Sequence, residues 1–324
     1  MTRLTLRLAA LVVLAALLLA LPLFAEKYYV QFATKILIMA IFAMSLDLLV
    51  GYAGLVSLGH AAFFGLAAYV LALASPQYAG ASFWVSLPLA VAAAAGAALA
   101  IGALALRTSG VYFIMVTLAF AQMLYFVFHD TKIAGGSDGM YIYVRPVADI
   151  LGWQPFSLEN IGHFYYATLA LAAATFAALA VLLRSPFGKV IAGIRVNEHR
   201  MRSLGYATFR YKLVCFAIAG GLAGLAGYLA AAQHGNVNPD MMGWHLSGSG
   251  LMMVILGGMG TLAGPVVGAA AMLALEVAFQ GLTKHWQLLM GGFIVLVALL
   301  LPRGLIGLAG ALSRTAGNAR GGHR

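Results

Sequence analysis

Asp47, His60 and Glu276 are ionisable side chains in or beside long apolar stretches, where a charged group can bind a solute or move a proton. A buried carboxylate in a bilayer is costly, so it is by default functional or paired. Asp47 is therefore a candidate for lining a solute path, although its place near one end of an apolar run also lets it reach water. His60 either lines the path or hydrogen bonds a neighbouring carbonyl. Glu276 fits a position at the membrane interface.

Motifs for catalysis are absent from the sequence. It contains neither a P-loop nor an H-E-x-x-H helix nor a cysteine and histidine cluster with zinc spacing. Gly258, Gly260 and Ala263 match a dinucleotide fingerprint, but no βαβ pattern surrounds them. The single cysteine, Cys215, excludes an intrachain disulfide. We expect no enzymatic activity, no metal site and no cofactor held by this chain.

The stretch 184–212 is the most polar long segment of the chain. Its seven basic residues face one acid, Glu198; the basic residues are Arg184, Lys189, Arg195, Arg200, Arg202, Arg210 and Lys212. Basic loops between spans stay in the cytoplasm. Ser185 and Pro186 form a helix start, and the apolar residues Val190, Ile194, Met201 and Leu204 share one helical face, with Gly205 as a stop. The loop either only sets topology or docks a cytosolic partner.

Composition points to a membrane protein. Of 324 residues, 63 % are hydrophobic and only 9 % are charged, whereas soluble domains carry about a quarter charged residues. Repeated apolar runs of about 20 residues predict an all-α, polytopic transmembrane helical bundle. The net charge of +10 lies in short loops and tails, which argues against nucleic-acid binding. We predict one transmembrane domain over 1–324, with a polar tail at 302–324.

The apolar runs predict eight crossings. They lie at 8–24, 32–50, 51–73, 83–106, 111–128, 164–183, 213–232 and 286–301. The segment 129–163 is acidic on balance and belongs outside, whereas the tail carries four arginines and no acid and belongs inside.

The stretch 246–279 is ambiguous because glycines and Pro265 interrupt it. A single crossing would leave the tail outside, whereas a broken or re-entrant hairpin leaves it inside. The basic tail favours the hairpin, with both ends of the chain cytoplasmic.

Two glycine-rich segments echo each other and predict an inverted-repeat character. One is GYAGLVSLG at 51–59, and the other is GGMGTLAG at 257–264. Glycine-interrupted segments at matching places in two halves indicate a transport path at a repeat interface. The path candidates are Asp47, Gly54, Ser57, His60, Gly257, Gly258, Gly260 and Gly264. The alternative is that the glycines serve close helix packing.

Six segments in order carry a family resemblance. They are GYAGLVSLGHAAFFGLAAY at 51–69, RTSGVYFIMVTLAFAQM at 107–123, AGGSDGM at 134–140, SPFGKVIAGIRVNE at 185–198, ILGGMGTLAGPVVGA at 255–269 and PRGL at 302–305. The chain resembles the LivM-type permeases of ABC importers for branched-chain amino acids. The likeness covers nearly the whole length. It departs after Glu198, where the family has small and acidic residues and this chain has HRMR.

The resemblance implies a bacterial inner-membrane permease that forms a heterodimer with a sister permease. Two cytosolic ABC ATPase subunits would bind ATP and dock underneath, and a periplasmic binding protein would deliver substrate. The loop 184–212 would couple permease to ATPase through Gly188, Ile194, Arg195, Asn197, Glu198, Met201, Leu204 and Gly205.

Rival functions remain open at this point. Permeases of the same family for urea, amides or aromatic acids fit the same motifs. An ion-coupled carrier needs a coupling carboxylate or cation site, and the sparse buried charges argue against it. A membrane enzyme has no visible site.

Overall fold

The computed structural model describes residues 16–76, 80–150, 153–156, 158–300 and 304–307, and most of them are helical. Residues 16–24 form a helix. The named helices are α1 (Lys27–Asp47), α2 (Ala61–Ala74), α3 (Phe83–Ala105), α4 (Val111–Asp130), α5 (Ile161–Arg184), α6 (Pro186–Val196), α7 (Glu198–Ser203), α8 (Thr208–His234), α9 (Trp244–Gly257), α10 (Gly264–Leu282) and α11 (Trp286–Leu300).

The prediction of a helical membrane bundle is confirmed. In the described part of the chain, six helices are long and apolar enough to cross a membrane, and three shorter apolar helices accompany them. The number of crossings stays a prediction. Of the predicted first span, residues 8–15 lie outside the described residues, and so does the tail 302–324 apart from 304–307.

Short strands were not predicted. They are β1 (Met140–Tyr141), β2 (Ala148–Ile150), β3 (Trp153–Phe156) and β4 (Asn236–Val237). They form two antiparallel pairs, β1 with β4 and β2 with β3. The first pair joins the acidic segment 129–163 to the polar turn after α8, so both segments lie at one end of the bundle. We call this end the acidic end, and the end that carries 184–212 the basic end.

The predicted crossing at 51–73 is interrupted, and its helix begins only after the glycine-rich segment. Residues Leu48–Ala53 are a π-helical extension of α1, 54–60 are irregular, and α2 begins only at Ala61. Gly54 takes a positive φ of 72°, which ends the helix at no steric cost. A side chain at Gly59 would overlap the Thr117 carbonyl of α4, so the loop packs tightly inside the bundle. Irregular backbone is tolerated among membrane helices when protein covers it.

The stretch 246–279 is a hairpin, as the basic tail indicated. Helices α9 and α10 pack closely and run antiparallel: Gly257 lies against the Gly264 carbonyl, and Gly268 lies against the Met253 carbonyl. No side chain fits at these positions. Gly257, Gly264 and Gly268 therefore serve close helix packing, the alternative reading of the glycines.

Helix α8 is the centre of the bundle and packs against α1, α2 and α3. A β-carbon at Gly227 would overlap the backbone of Phe64 in α2, and one at Gly224 would overlap Ala94 in α3. The absence of side chains at these two positions brings the helix backbones together, where dispersion contacts are strongest.

We expect Gly227→Ala to destabilise the protein, because the added methyl meets backbone that cannot rotate away. Overpacking of this kind costs about 1–3 kcal/mol. Gly96→Ala in α3 is the matched control, since nothing lies within 4 Å of a β-carbon there. It removes a helix-interior glycine and should be neutral or stabilising. Thermal denaturation of the purified, detergent-solubilised chain measures both. Equal melting temperatures would contradict this account of the α2–α8 contact.

Candidate functional site

Helices α6 and α7 form a compact element at the basic end. We call it the coupling element (186–203), after the role that the family resemblance implies for it. Its start is as predicted. The Ser185 hydroxyl accepts a hydrogen bond from the Gly188 amide (3.4 Å), and Pro186 is the first helical residue. Gly188 sits so close to the Leu182 and Leu183 carbonyls that a side chain would overlap them. The chain therefore turns sharply from α5 into α6.

The coupling element is two helices rather than the single helical face that the sequence predicted. Asn197 separates them, and its side-chain oxygen caps α7 by accepting from the Arg200 amide (2.9 Å). Val190 and Ile194 are buried on α6, and Met201 packs against Gly193. Leu204 is 66 % exposed and follows the end of α7, so the four residues do not share one continuous helical face. The break at Asn197 rotates the second half away.

Gly205 has a positive φ of 86° directly after α7, which agrees with the predicted stop. It lies in open space, where a β-carbon would meet no neighbour within 4 Å.

Glu198 anchors α7 to the first turns of α8. Its carboxylate accepts hydrogen bonds from Arg202 (2.7 Å), Thr208 (3.0 Å) and Lys212 (3.0 Å). Partial burial alone would raise the pKa of Glu198, but the hydrogen bonds from Lys212 and Arg202 outweigh it, and the pKa is lowered overall. Glu198 thus points inward and holds the element together.

We expect Glu198→Gln to loosen α7, because an amide loses the charge-assisted bonds to Lys212 and Arg202. The side chain is 31 % exposed, so solvent screens part of the effect. Amide exchange in α7 should rise about threefold at pH 7. Because the pKa is lowered, the anchor contributes fully above the ordinary carboxyl pKa of about 4.3 and is lost as the pH falls through the lowered value.

Glu26→Gln is the matched control for this exchange measurement, since Glu26 is an exposed carboxylate remote in sequence from α7. Unchanged exchange in α7 of the Glu198→Gln protein would show that the ion pairs do not hold the helix.

The two glycine-rich segments meet beside the coupling element, next to Asp47. We call this contact the glycine junction, and its residues are Asp47, Gly51, Gly54 and Gly260. The Asp47 carboxylate is 1 % exposed and accepts a hydrogen bond from the Gly260 amide (2.8 Å). A β-carbon at Gly51 would overlap both the Asp47 carboxylate and the Gly260 amide. One oxygen of Asp47 is therefore held by backbone, and the other is buried without a hydrogen-bond partner among the described residues. The carboxylate does not reach water in this structure.

Arg195 connects the coupling element to the glycine junction. Its guanidinium donates to the Gly51 carbonyl, and its side-chain stem lies against Gly54, 3.1 Å from the place of a β-carbon. It also interacts electrostatically with Asp47. The same guanidinium lies 3.4 Å from the place of a β-carbon at Gly260. One arginine of α6 therefore contacts both segments that meet at the junction.

A cavity of about 490 Å³ adjoins this contact at the basic end. Its walls come from three segments, which are 53–56, 108–114 and 194–198, together with Lys212. The cavity therefore lies between the glycine-rich loop, the start of α4 and the coupling element.

His60 and Ser57 lie apart from the junction, in the core of the bundle, and neither is exposed. The Ser45 hydroxyl donates to the Phe42 carbonyl (2.7 Å) and accepts from the Nε2 of His60 (2.8 Å). Ser57 accepts from the Gly59 amide (3.3 Å). The partner of His60 is thus a serine hydroxyl rather than a carbonyl, and its Nδ1 is buried without a hydrogen-bond partner among the described residues.

Exposed apolar side chains lie at the end of α6 and in the residues that follow α7. Val196 is 85 % exposed, and Leu204, Tyr206 and Phe209 are also exposed. We call these four residues the docking face, after the role that the family resemblance implies for this loop. Arg200 and Arg202 lie near them in sequence and are also exposed. Exposed apolar side chains next to basic residues are typical of an interaction surface.

Two features of the site were not predicted from the sequence. Gly51 was part of the first glycine-rich motif but was not chosen as a site residue, although a tight approach of backbone is the usual reason for such a glycine. Thr208 and Lys212 complete the Glu198 anchor from the next helix, and no spacing rule connects them to Glu198.

Comparisons with known proteins agree with this architecture. Residues 28–299 match the family model described as branched-chain amino acid transport system / permease component. The chain is 31 % identical to the high-affinity branched-chain amino acid transport system permease protein LivM of Escherichia coli (strain K12), over 91 % of this chain and 74 % of that protein. Identity to LivM of Salmonella typhimurium is also 31 %, over 92 % and 74 %.

A more distant likeness reaches the ribose import permease protein RbsC of Bacillus subtilis (strain 168), at 27 % identity over 46 % of this chain and 50 % of that one. No solved structure matches the chain significantly. The family match runs from α1 to α11 and includes the coupling element and the glycine junction. The chain therefore belongs to the family of permease components of branched-chain amino acid transport systems.

Proposed function

We propose that this chain is a permease subunit of an ATP-driven importer for branched-chain amino acids. The observation that carries the proposal is the mechanical link from the docking face through Arg195 to the glycine junction. A transmitted conformational change requires an exposed surface on the short helix pair and a direct contact from that pair to the interrupted membrane segments.

The transport cycle follows from that link. Two cytosolic ATPase subunits bind the docking face, and their closure on ATP moves α6 and α7 as a rigid body. Arg195 carries the movement to Gly51 and Gly54, and the contact between Asp47 and Gly260 opens or closes. The permease pair then switches access from one side to the other by rocking.

The partners and location follow the same scheme. A sister permease completes the path, and a periplasmic binding protein delivers substrate to the acidic end. This chain holds no cofactor, since ATP is bound by the partner subunits. The basic coupling element, and with it both chain ends, faces the cytoplasm of a bacterial inner membrane. Maleimide labelling of a Ser203→Cys variant in right-side-out and inverted vesicles tests this orientation, and labelling from the periplasmic side would overturn it.

Reconstituted uptake tests the function. The chain is purified with its sister permease and ATPases, placed in liposomes, and supplied with leucine-loaded binding protein and ATP. We expect leucine uptake that requires ATP and ceases with a non-hydrolysable analogue. Uptake driven by an ion gradient without the ATPases would instead show a secondary carrier. ATP-dependent uptake of urea, an amide or an aromatic acid, without leucine uptake, would move the substrate assignment within the family.

A further inference from the structure

A polar cavity of about 390 Å³ opens among α1, α8 and α10 near the acidic end. Lys35 and Glu276 contribute opposite charges to its wall, and Gln31, Gln233, His234 and Gln280 contribute further polar groups. Its volume is within the range of small-molecule sites, about 300–1,000 Å³. The cavity lies at the other end of the helices from the glycine junction and is not part of the coupling machinery.

Both charges are within the span of their helices. Lys35 comes eight residues after the start of α1, which places it about 12 Å along that helix. Glu276 comes six residues before the end of α10, about 9 Å from its acidic end. The two side chains thus lie at similar depth. Ionisable residues at such positions usually mark a solute path.

Lys35 has no ion pair or hydrogen bond with any described residue. Glu276 accepts only a long bond from the exposed Gln280 (3.3 Å) among those residues. Gln233 donates to the Gln31 carbonyl (2.8 Å), but its side-chain oxygen is buried without a partner. A cation, an anion and an amide that share one cavity without satisfying one another are available to a ligand.

A second cavity, of about 290 Å³, shares Lys35, Gln233 and His234 with the first. Its remaining wall is mainly apolar, with Ile38, Met39, Phe64 and Leu246, and Asn238, Asp240 and Met241 close it toward the acidic end. The cavity that holds both charges therefore adjoins a cavity with a more apolar wall, and Lys35, Gln233 and His234 line both.

We propose that this pair of cavities is a binding site for a zwitterionic α-amino acid in transit. Lys35 takes the carboxylate, Glu276 takes the ammonium group, and the apolar compartment takes the branched side chain. The proposal rests on the proposed transport function and sharpens its substrate class. Urea and simple amides carry neither charge, and an aromatic acid has no group for Glu276, so a site with both charges discriminates against all three.

Charge-neutralising substitutions test the site in the reconstituted complex. We expect Lys35→Gln and Glu276→Gln to lower leucine uptake at least tenfold, while loaded binding protein still stimulates ATP hydrolysis. Lys35→Arg should restore much of the uptake. Lys27→Gln is the matched control, since it removes the same charge from an exposed position on the same helix, and it should transport within twofold of the unmodified chain. Normal uptake by Lys35→Gln and Glu276→Gln would overturn the site while leaving the proposed function intact. A wild-type complex that fails to transport leucine would overturn the function instead.

Site protection gives a second measurement that leaves both charges in place. Val277 lines the polar cavity, and the native Cys215 is fully buried. A Val277→Cys variant should react with a maleimide at least threefold more slowly in the presence of leucine. Leucinamide, which lacks the carboxylate, and 4-methylpentanoate, which lacks the ammonium group, should not protect. Equal reactivity with and without leucine, or equal protection by all three compounds, overturns the proposal even if the charge variants fail to assemble.

Discussion

Replacing Gly51 with alanine is expected to abolish transport, with a loss of about a hundredfold or more in uptake rate. The methyl group would occupy the space of the Asp47 carboxylate and the Gly260 amide. Overpacking costs about 1–3 kcal/mol where neighbours can yield, and each 1.4 kcal/mol changes an equilibrium about tenfold. Here one neighbour is backbone, and the other is held by the hydrogen bond between Asp47 and Gly260 (2.8 Å).

The readout that separates this effect from misfolding is ATP hydrolysis. Gly51→Ala changes no residue of the coupling element or the docking face. The complex should therefore assemble and hydrolyse ATP at its basal rate. Gly248→Ala in α9 is the matched control, since a β-carbon there meets nothing within 4 Å. It should transport normally. A Gly51→Ala complex that imports leucine at the wild-type rate would show that the junction does not have to close.

Hydrophobic runs were enough to locate the long helices, because each must either face lipid or bury itself. The runs at 164–183 and 213–232 lie inside α5 and α8, and the run at 83–106 extends one residue past the end of α3. The interruption of the helix at 51–73, in contrast, has a cause that the hydrophobic runs do not show. The π-helical extension of α1 and the loop 54–60 depend on packing against Thr117 and on the contact between Asp47 and Gly260, which are 213 residues apart. No local pattern encodes such a contact.

The site was predictable in its polar parts and not in its geometry. Ser185 and Pro186 predicted the start of α6 correctly. Asn197 is also a residue type that favours an N-cap, but the cap of α7 at this position was not predicted. Lys35 lies inside the predicted crossing at 32–50 but was not among the path candidates. Its counterpart Glu276 lies on α10, and only the fold shows that the two share a cavity.

The second large effect is expected for Arg195→Ala, which should uncouple the importer. Without the guanidinium, the Gly51 carbonyl loses its donor and Gly54 loses the stem that packs on it. Hydrogen bonds to charged groups contribute about 1.5–3 kcal/mol, which corresponds to about tenfold to a hundredfold in coupling. ATP hydrolysis should continue, yet substrate-loaded binding protein should no longer accelerate it, and leucine uptake should fall by the same factor.

Arg195→Lys distinguishes charge from geometry. Lysine keeps the positive charge near Asp47 but offers a single ammonium where arginine presents a planar fork on a longer stem. If the arginine acts by contacting both segments of the glycine junction, the lysine variant recovers only a small part of the coupling. Arg200→Ala is the control for surface charge, because Arg200 is exposed on α7 beside the docking face. It should weaken ATPase binding at most and leave the ratio of leucine imported to ATP hydrolysed unchanged. If Arg195→Ala also leaves that ratio unchanged, force reaches the membrane helices by a route other than α6, and the central role of the junction is lost.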